Sequence, residues 1–463
     1  MSNDPYQAAL DYLYSFIDYS VERSYRYSAE VFELQRVRDL LHEMGDPQQE
    51  FRSFHIAGTK GKGSVSSLIA SVLQAAGFRV GLYTSPHLLR FNERIQINGA
   101  SILDDEFVEL VNSIKPAVAS VENLTLFEIV TAMAFKHFAR QSVDYAVVEV
   151  GLGGRLDATN VLLPMVSVIT SLSYDHMHLL GESLTDIARE KAGIIKTGVP
   201  IILAPQQNEA LKTVEAIAKE RNARMVLVGR EWLFSPGSHD LDGQSLYIWS
   251  REEQPLMDAY VESAGGEEWA PPKYWIPLLG YHQVVNAAVA YAALAEAVKC
   301  GLELPNGSIR KGFQAVVWPG RFQILSRQPV LIIDSAHNRE SALKLRIALD
   351  DYFPGQPVVL IFGASADKDI EGMLTELLPR VSTLIVTRAE HPRAEEPERL
   401  AAIGHSHGVA VEQFEDIETA LSFALQNAGA EDVILVAGSI FVAGQVLSAW
   451  QAMQLAAPHG KGE

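Results

Sequence analysis

This sequence predicts an α/β protein: a P-loop-type domain built on a largely parallel sheet, followed by a smaller Rossmann-like α/β domain. Three observations carry that expectation. Apolar runs of strand length alternate with helical stretches, a glycine-rich loop joins an early strand to an amphipathic helix, and 463 residues exceed what one hydrophobic core usually serves. The expected division is 1–317 and 318–463.

From Phe51 the chain reads as a strand, FRSFHIA, then the turn GTKGKGS, then a helix with apolar residues at Val65, Leu68, Ile69, Val72, Leu73 and Ala76. That spacing buries one helical face, and Gly77 supplies the stop. FRVGLYTSP, VDYAVVEVG, MVSVITSLS and VPIILAP are further buried strands, and Ser183 with Asp186 opens the helical stretch 183–196 as a capping box. Residues 208–277 are less regular: a helix-like EALKTVEAIAKERN, a turn-rich SPGSHDLDGQ and a polar Glu/Gly stretch predict a small antiparallel addition. Helices are expected from near Asn286 (NAAVAYAALAEAV) and over 308–316. Beyond Trp318, five strand-like runs, PVLIIDSAHN, PVVLIFGAS, STLIVTRA, VAVEQF and DVILVAGS, repeat the doubly wound pattern and leave a cleft between two domains.

A formal net charge of −19 opposes extended nucleic-acid or anionic-membrane binding. The single cysteine, Cys300, excludes an intramolecular disulfide and a multi-cysteine metal site. The start, MSNDPYQAAL, has no basic region followed by an apolar core, and no apolar run is long enough to span a bilayer. A cytoplasmic protein without a membrane or nucleic-acid partner is expected.

The loop Gly58-Thr59-Lys60-Gly61-Lys62-Gly63-Ser64 is where the backbone can wrap a phosphate at a helix N-terminus. Lys62 would neutralise the β- and γ-phosphates and Ser64 would lie near a metal, although Gly63 stands between them where the commonest P-loop has none. Glu149 ends the run YAVVEV and would emerge at the carboxyl edge of the sheet as an oxygen ligand for Mg²⁺. His176, after VSVITSLS, reaches the same edge. On pattern alone Lys191 reads as a solvent-facing helical lysine and Ser85 as a turn hydroxyl before Pro86.

Eight motifs in order go further: HIAGTKGKGSVSSLIASVLQAAGFRVGLYTSPHLLRFNERIQING, LTLFEIVTAMAF, VVEVGLGGRLDATNV, SYDHMHLLGESLTDIAREKAGIIK, LLGYHQVVNAA, WPGRFQIL, IIDSAHN and LVAGSIFVAG. Together, from about Leu34 to Val446, they resemble the folylpolyglutamate synthase and dihydrofolate synthase family of Mur-type ligases. The resemblance implies a ligase central domain and a C-terminal glutamate ligase domain. It implies Ser85, Glu149 and His176 as metal ligands, two Mg²⁺ ions, and Lys191 carbamylated so that it helps hold the second. It implies ATP contacts from Thr59, Lys60, Gly61, Lys62, Gly63, Ser64, Asn286, Arg321 and Asp334, with Lys62, Lys191, His176 and His337 in catalysis. Pterin contacts fall on Thr125, Leu126, Phe127, Glu128, Leu156, Asp157 and Ala158. Lys60 departs from the asparagine of many bacterial members, and the stretch before Leu34 aligns poorly with the family's pterin loop.

The implied reaction uses ATP to convert a folate or dihydropteroate carboxylate into an acyl phosphate, which the amine of L-glutamate then displaces. RLDATN leans towards activity on both acceptors, and a monomer is expected. The competing readings are a Mur-type ligase for another carboxylate and a P-loop ATPase that ligates nothing.

Overall fold

A computed structural model describes residues 4–17, 34–266 and 268–456. Of the poorly aligning stretch before Leu34, residues 4–17 are described, while 1–3 and 18–33 lie outside the described residues.

The first sheet has eight strands: β1 Arg52–Ala57, β2 Val80–Tyr83, β3 Ile95–Ile97, β4 Ala100–Ser101, β5 Tyr145–Glu149, β6 Val166–Ile169, β7 Ile201–Leu203 and β8 Met225–Leu227. Their order is β4-β3-β2-β5-β1-β6-β7-β8, so β1 lies in the interior between β5 and β6. All neighbours are parallel except β2–β3 and β3–β4, which form an antiparallel edge. Continuous apolar runs make these strands fit for burial on both faces. Helices Lys62–Ala75, Tyr281–Lys299 and Ser308–Ala315 cover one face through Val65, Leu68, Val72, Val289 and Phe313. Helices Leu34–Glu43, Asp104–Ser120 and Leu126–Arg140 pack on the other through Leu40, Phe107, Ile129 and Phe135.

Strands β9 Trp232–His239, β10 Gln244–Ser250 and β11 Lys273–Ile276 form the small antiparallel addition, in the order β11-β10-β9. The segment SPGSHDLDGQ is mostly strand rather than turn. Only Asp240–Gly243 reverses the chain, with the Asp240 amide donating to the Gly243 carbonyl at 2.9 Å.

Strands β12 Gln323–Arg327, β13 Val330–Ile333, β14 Val358–Phe362, β15 Val381–Val386, β16 Ala410–Gln413 and β17 Val433–Ala437 form a third sheet, ordered β12-β13-β17-β14-β15-β16. Five are the expected parallel strands. The sixth, β12, is an antiparallel edge whose polar Gln323, Ser326 and Arg327 and register shift after Ile324 hid it from a periodicity argument.

Two helix starts also differ from expectation. The loop helix begins at Lys62 rather than Val65, so Lys62, Gly63 and Ser64 are its first turn. The helix expected near Asn286 begins at Tyr281, directly after Gly280, because the polar pair His282-Gln283 belongs to its first turn. Ser183 accepts from the Asp186 amide at 3.1 Å as expected. Asp186 answers by accepting the Ser183 hydroxyl proton at 2.6 Å.

Gly312 fixes how closely two helices approach, since a Cβ there would lie 2.4 Å from Val72 Cα. Gly312→Ala is expected to cost about 1–3 kcal/mol through backbone displacement. A thermal-unfolding midpoint equal to that of the unaltered chain would contradict this packing.

Candidate active site

Every candidate site residue from the sequence lines a single cleft of about 1440 Å³, walled by the carboxyl edge of the first sheet and by residues of the third. That convergence follows from topology, because β1, β5, β6 and β13 all end at this cleft.

The glycine-rich loop leaves β1 and is pinned just past β6: the amides of Thr59 and Lys60 both donate to the Ser171 carbonyl, at 2.9 and 3.1 Å. Thr59 Oγ1 donates to the Ser173 carbonyl at 3.2 Å and accepts from its amide at 3.2 Å. Gly61 sits at φ +91°, and a Cβ there would come within 2.4 Å of Asn286 Oδ1. No other residue type suits both the backbone and the space. Asn286, held by Gln283 Oε1 at 2.9 Å, thus closes over the loop from the helix Tyr281–Lys299.

Facing the loop, Lys62 Nζ lies 3.6 Å from Glu149 Oε1, an ion pair in which both side chains are largely withdrawn from solvent. Burial raises the Glu149 carboxyl, while Lys62, Arg321 and the Ser85 backbone N–H pull it back. Ser85, on a cis peptide to Pro86, is therefore brought to Glu149. His176 keeps 41% exposure to the cleft. Its pKa is nevertheless lowered to about 4, first by the surrounding walls and then by neighbouring lysines, with Asp175 opposing.

Ser85 hydroxyl, Glu149 carboxylate and neutral His176 make a donor set that a divalent cation can use. Among the described residues no three His, Cys, Asp or Glu side chains gather closely enough to hold a metal ion by themselves. Lys191 is buried, not solvent-facing. Its Nζ donates to the Gly58 carbonyl at 2.9 Å, and burial, followed by the charge of Lys62, lowers its pKa to about 7.

A second cluster crosses the cleft and was not foreseen. Asp175 Oδ2 accepts from Lys60 Nζ at 2.9 Å and from Asn338 Nδ2 at 3.0 Å. Lys60 also faces His337 Nε2 at 3.4 Å, while His337 Nδ1 meets the Ser335 carbonyl at 2.8 Å. The Lys60 charge, then burial, hold His337 well below its ordinary pKa, so its Nδ1 carries the proton and Nε2 accepts. Burial works against the Asp175 carboxylate, yet Lys60, His176, Lys368 and His337 together keep it well below the usual carboxylate range. The resemblance had placed Lys60 and His337 at the site one by one, but nothing in the sequence signalled that Asp175 would join Lys60 to Asn338.

Asp334 directly follows β13 and accepts from the amides of Phe322 at 2.7 Å and Ala336 at 2.8 Å. Burial raises its pKa and lowers that of Arg321, each opposed by the other's charge.

On the far wall, Thr125 and Glu128 cap the helix Leu126–Arg140: the Thr125 amide donates to Glu128 at 2.7 Å, and Thr125 Oγ1 accepts from the Glu128 amide at 3.3 Å. Glu128 also pairs with Arg36 at 3.0 Å. Phe127 turns its ring towards Tyr83, centroids 6.1 Å apart. Leu156, Asp157 and Ala158 complete this wall, Asp157 accepting from the Leu152 amide at 2.9 Å and the Thr159 amide at 3.0 Å.

Strand, glycine loop and helix opening onto a cleft between two α/β sheets define a protein of the P-loop class with Mur-ligase architecture. The Mur ligase middle domain matches residues 56–294 and the Mur ligase, glutamate ligase domain matches 320–440. A Bacillus subtilis (strain 168) dihydrofolate synthase/folylpolyglutamate synthase is 34% identical over 415 residues, 88% of this chain and 92% of that protein. Escherichia coli FolC in complex with DHPP and ADP superimposes with a TM-score of 0.82 at 31% identity, covering 98% of this chain and 99% of that one. A bifunctional folylpolyglutamate synthase/dihydrofolate synthase from Yersinia pestis, complexed with AMPPNP and Mn ion, gives 0.80 at 32% identity, covering 97% and 98%. The chain belongs to the dihydrofolate synthase/folylpolyglutamate synthase family. Among the described residues no helix is long and apolar enough to cross a membrane.

Asp175→Ala strips Lys60 and Asn338 of a shared acceptor and is expected to destabilise the nucleotide-free protein by about 2 kcal/mol. Because the folded carboxyl sits below its ordinary 3.8, its contribution is complete above that pH and fades on acidification. Denaturant midpoints of the two proteins should therefore converge as pH falls; a constant gap would contradict the assignment.

Proposed function

We propose that this chain joins L-glutamate to the carboxylate of a reduced folate or of dihydropteroate, using ATP and passing through an acyl phosphate. What supports this most is that the P-loop, the Lys62–Glu149 pair and the Phe127 wall line one cavity. That cavity can hold a nucleotide, a flat heterocycle and an amino acid at once. The DHPP and ADP held by the Escherichia coli relative are ligands of those kinds.

A free carboxylate resists attack by an amine because oxide is a hopeless leaving group, so activation comes first. The acceptor's carboxylate oxygen attacks the γ-phosphorus of ATP, ADP departs, and Lys62 with the loop amides balances the charge on the moving phosphoryl group. Glutamate's amine then adds to the acyl carbon, loses its proton, and expels phosphate to leave the amide. Lys60, His337, Arg321, Asp334 and Asn286 would orient the nucleotide. His337 is too weakly basic to be a strong proton acceptor and serves as the acceptor for Lys60. Mg²⁺, two ions in this reading, held by Ser85, Glu149, His176 and carbamylated Lys191, would neutralise phosphate charge. Residues 1–317 would act as the ATP-binding and central part and 318–463 as the glutamate ligase part of a cytoplasmic monomer.

The test is incorporation of glutamate by the purified chain with ATP, run side by side on dihydropteroate and tetrahydrofolate and read by product mass. Both products are expected to gain one glutamate residue. Phosphate release without any acceptor and without a new amide would overturn the reading in favour of a simple ATPase.

Lys191 offers a second test. A lysine with pKa about 7 is largely neutral above that pH, and only the neutral amine adds to CO₂. ¹³C-bicarbonate should give a carbamate resonance that grows as pH rises through 7 and is absent from Lys191→Met. A resonance that persists in that variant would contradict the assignment.

A further inference from the structure

The middle of β1 holds a side chain that the chemistry above does not use. Phe54 and Ile56 are apolar and fully buried, and His55 between them is also fully withdrawn from water. A polar ring in the interior strand of a parallel sheet is costly unless a partner compensates. The partner is Thr159, whose Oγ1 lies 2.8 Å from His55 Nε2. The same hydroxyl bonds Asp157 Oδ1. Asp157 also takes the Thr159 amide, and it stands on the cleft wall beside Leu156 and Ala158.

The direction of this chain of bonds follows from valence. Burial, aided by the charge of Lys196, lowers His55 to about pKa 3, so the ring is neutral and has one N–H. Its Nδ1 is buried with no hydrogen-bond partner. An orphaned lone pair is tolerated better than an orphaned N–H, so the proton belongs on Nε2. Thr159 Oγ1 must then accept from His55 and donate to the carboxylate. A threonine hydroxyl left to itself rotates freely. Here its one proton has a single destination.

We infer that His55, acting through Thr159, is a positioning residue for the acceptor substrate: it fixes Asp157 in the rotamer that presents the cleft wall to a flat, N–H-bearing heterocycle. This rests on the ligase reading above and adds to it a residue on the opposite side of β1 from the nucleotide loop's helix. The relay orients a group and transfers no proton. Its effect should therefore appear in the affinity for the heterocyclic acceptor and leave the ATP and glutamate steps alone.

The experiment measures KM for dihydropteroate, ATP and glutamate, together with equilibrium binding of dihydropteroate, in Thr159→Val, Thr159→Ser, His55→Leu and His55→Gln. Breaking the buried hydrogen-bond chain at either link predicts roughly a tenfold rise in dihydropteroate KM and Kd for the valine and leucine variants. ATP and glutamate KM values should stay within about twofold. Serine restores the hydroxyl and glutamine offers an N–H near the place of Nε2, so both should recover most of the affinity. Equal losses for all three substrates, or a fall in thermal midpoint with dihydropteroate affinity unchanged, would overturn the proposal. Failure of the ligase reading would look different, because the unaltered chain would then make no glutamate conjugate.

Discussion

A buried carboxylate facing a loop lysine sets the terms for the whole cleft. Glu149 is withdrawn from water at the end of β5, where burial raises its pKa, and Lys62 at 3.6 Å together with Arg321 and the Ser85 amide opposes that shift. A buried pair of this kind is weak evidence for stability, since desolvation consumes most of the Coulomb energy. Its value is positional. Under the proposed function the lysine would meet arriving phosphate charge and the carboxylate would meet a cation that bridges to it.

The rest of the fold can be understood as support for that pair. β1 delivers the loop from the interior of the sheet, and the Ser171 carbonyl, just past β6, clamps the Thr59 and Lys60 amides. Asn286 and Gly61 set the loop's height above the helix Tyr281–Lys299. From across the cleft, Asp175 ties Lys60 to Asn338 at the start of the helix Arg339–Tyr352, so the first and third sheets meet through side chains that also face the nucleotide region. One ion-paired carboxylate thereby links loop geometry to cleft geometry.

The strand-loop-helix unit was legible because its signals are local: an apolar run, glycines at a turn, and apolar residues at helical spacing. Glu149 was legible for the same reason, as a charge at the end of a buried run. Lys191 was not. Its helix is amphipathic, and only packing against the Gly58 carbonyl turns an apparently exposed lysine into a buried one. Resemblance to the family supplied what periodicity could not. The Lys60–Asp175 and His55–Thr159 pairs span more than a hundred residues each, and such contacts leave no trace in local pattern. β12 escaped for a different reason, since an edge strand needs only one apolar face and this one also carries a register shift. The helix Tyr281–Lys299 was placed late because its first turn is polar where it lines the cleft.

The most direct measurement is anomalous diffraction from crystals of the protein grown with Mn²⁺ and a non-hydrolysable ATP analogue. The account predicts a manganese peak bounded by Ser85, Glu149 and His176, with Lys62 turned from Glu149 onto the nucleotide's terminal phosphates. A nucleotide bound away from the 58–64 loop, or a metal peak remote from Glu149 with the Lys62–Glu149 pair intact, would contradict it.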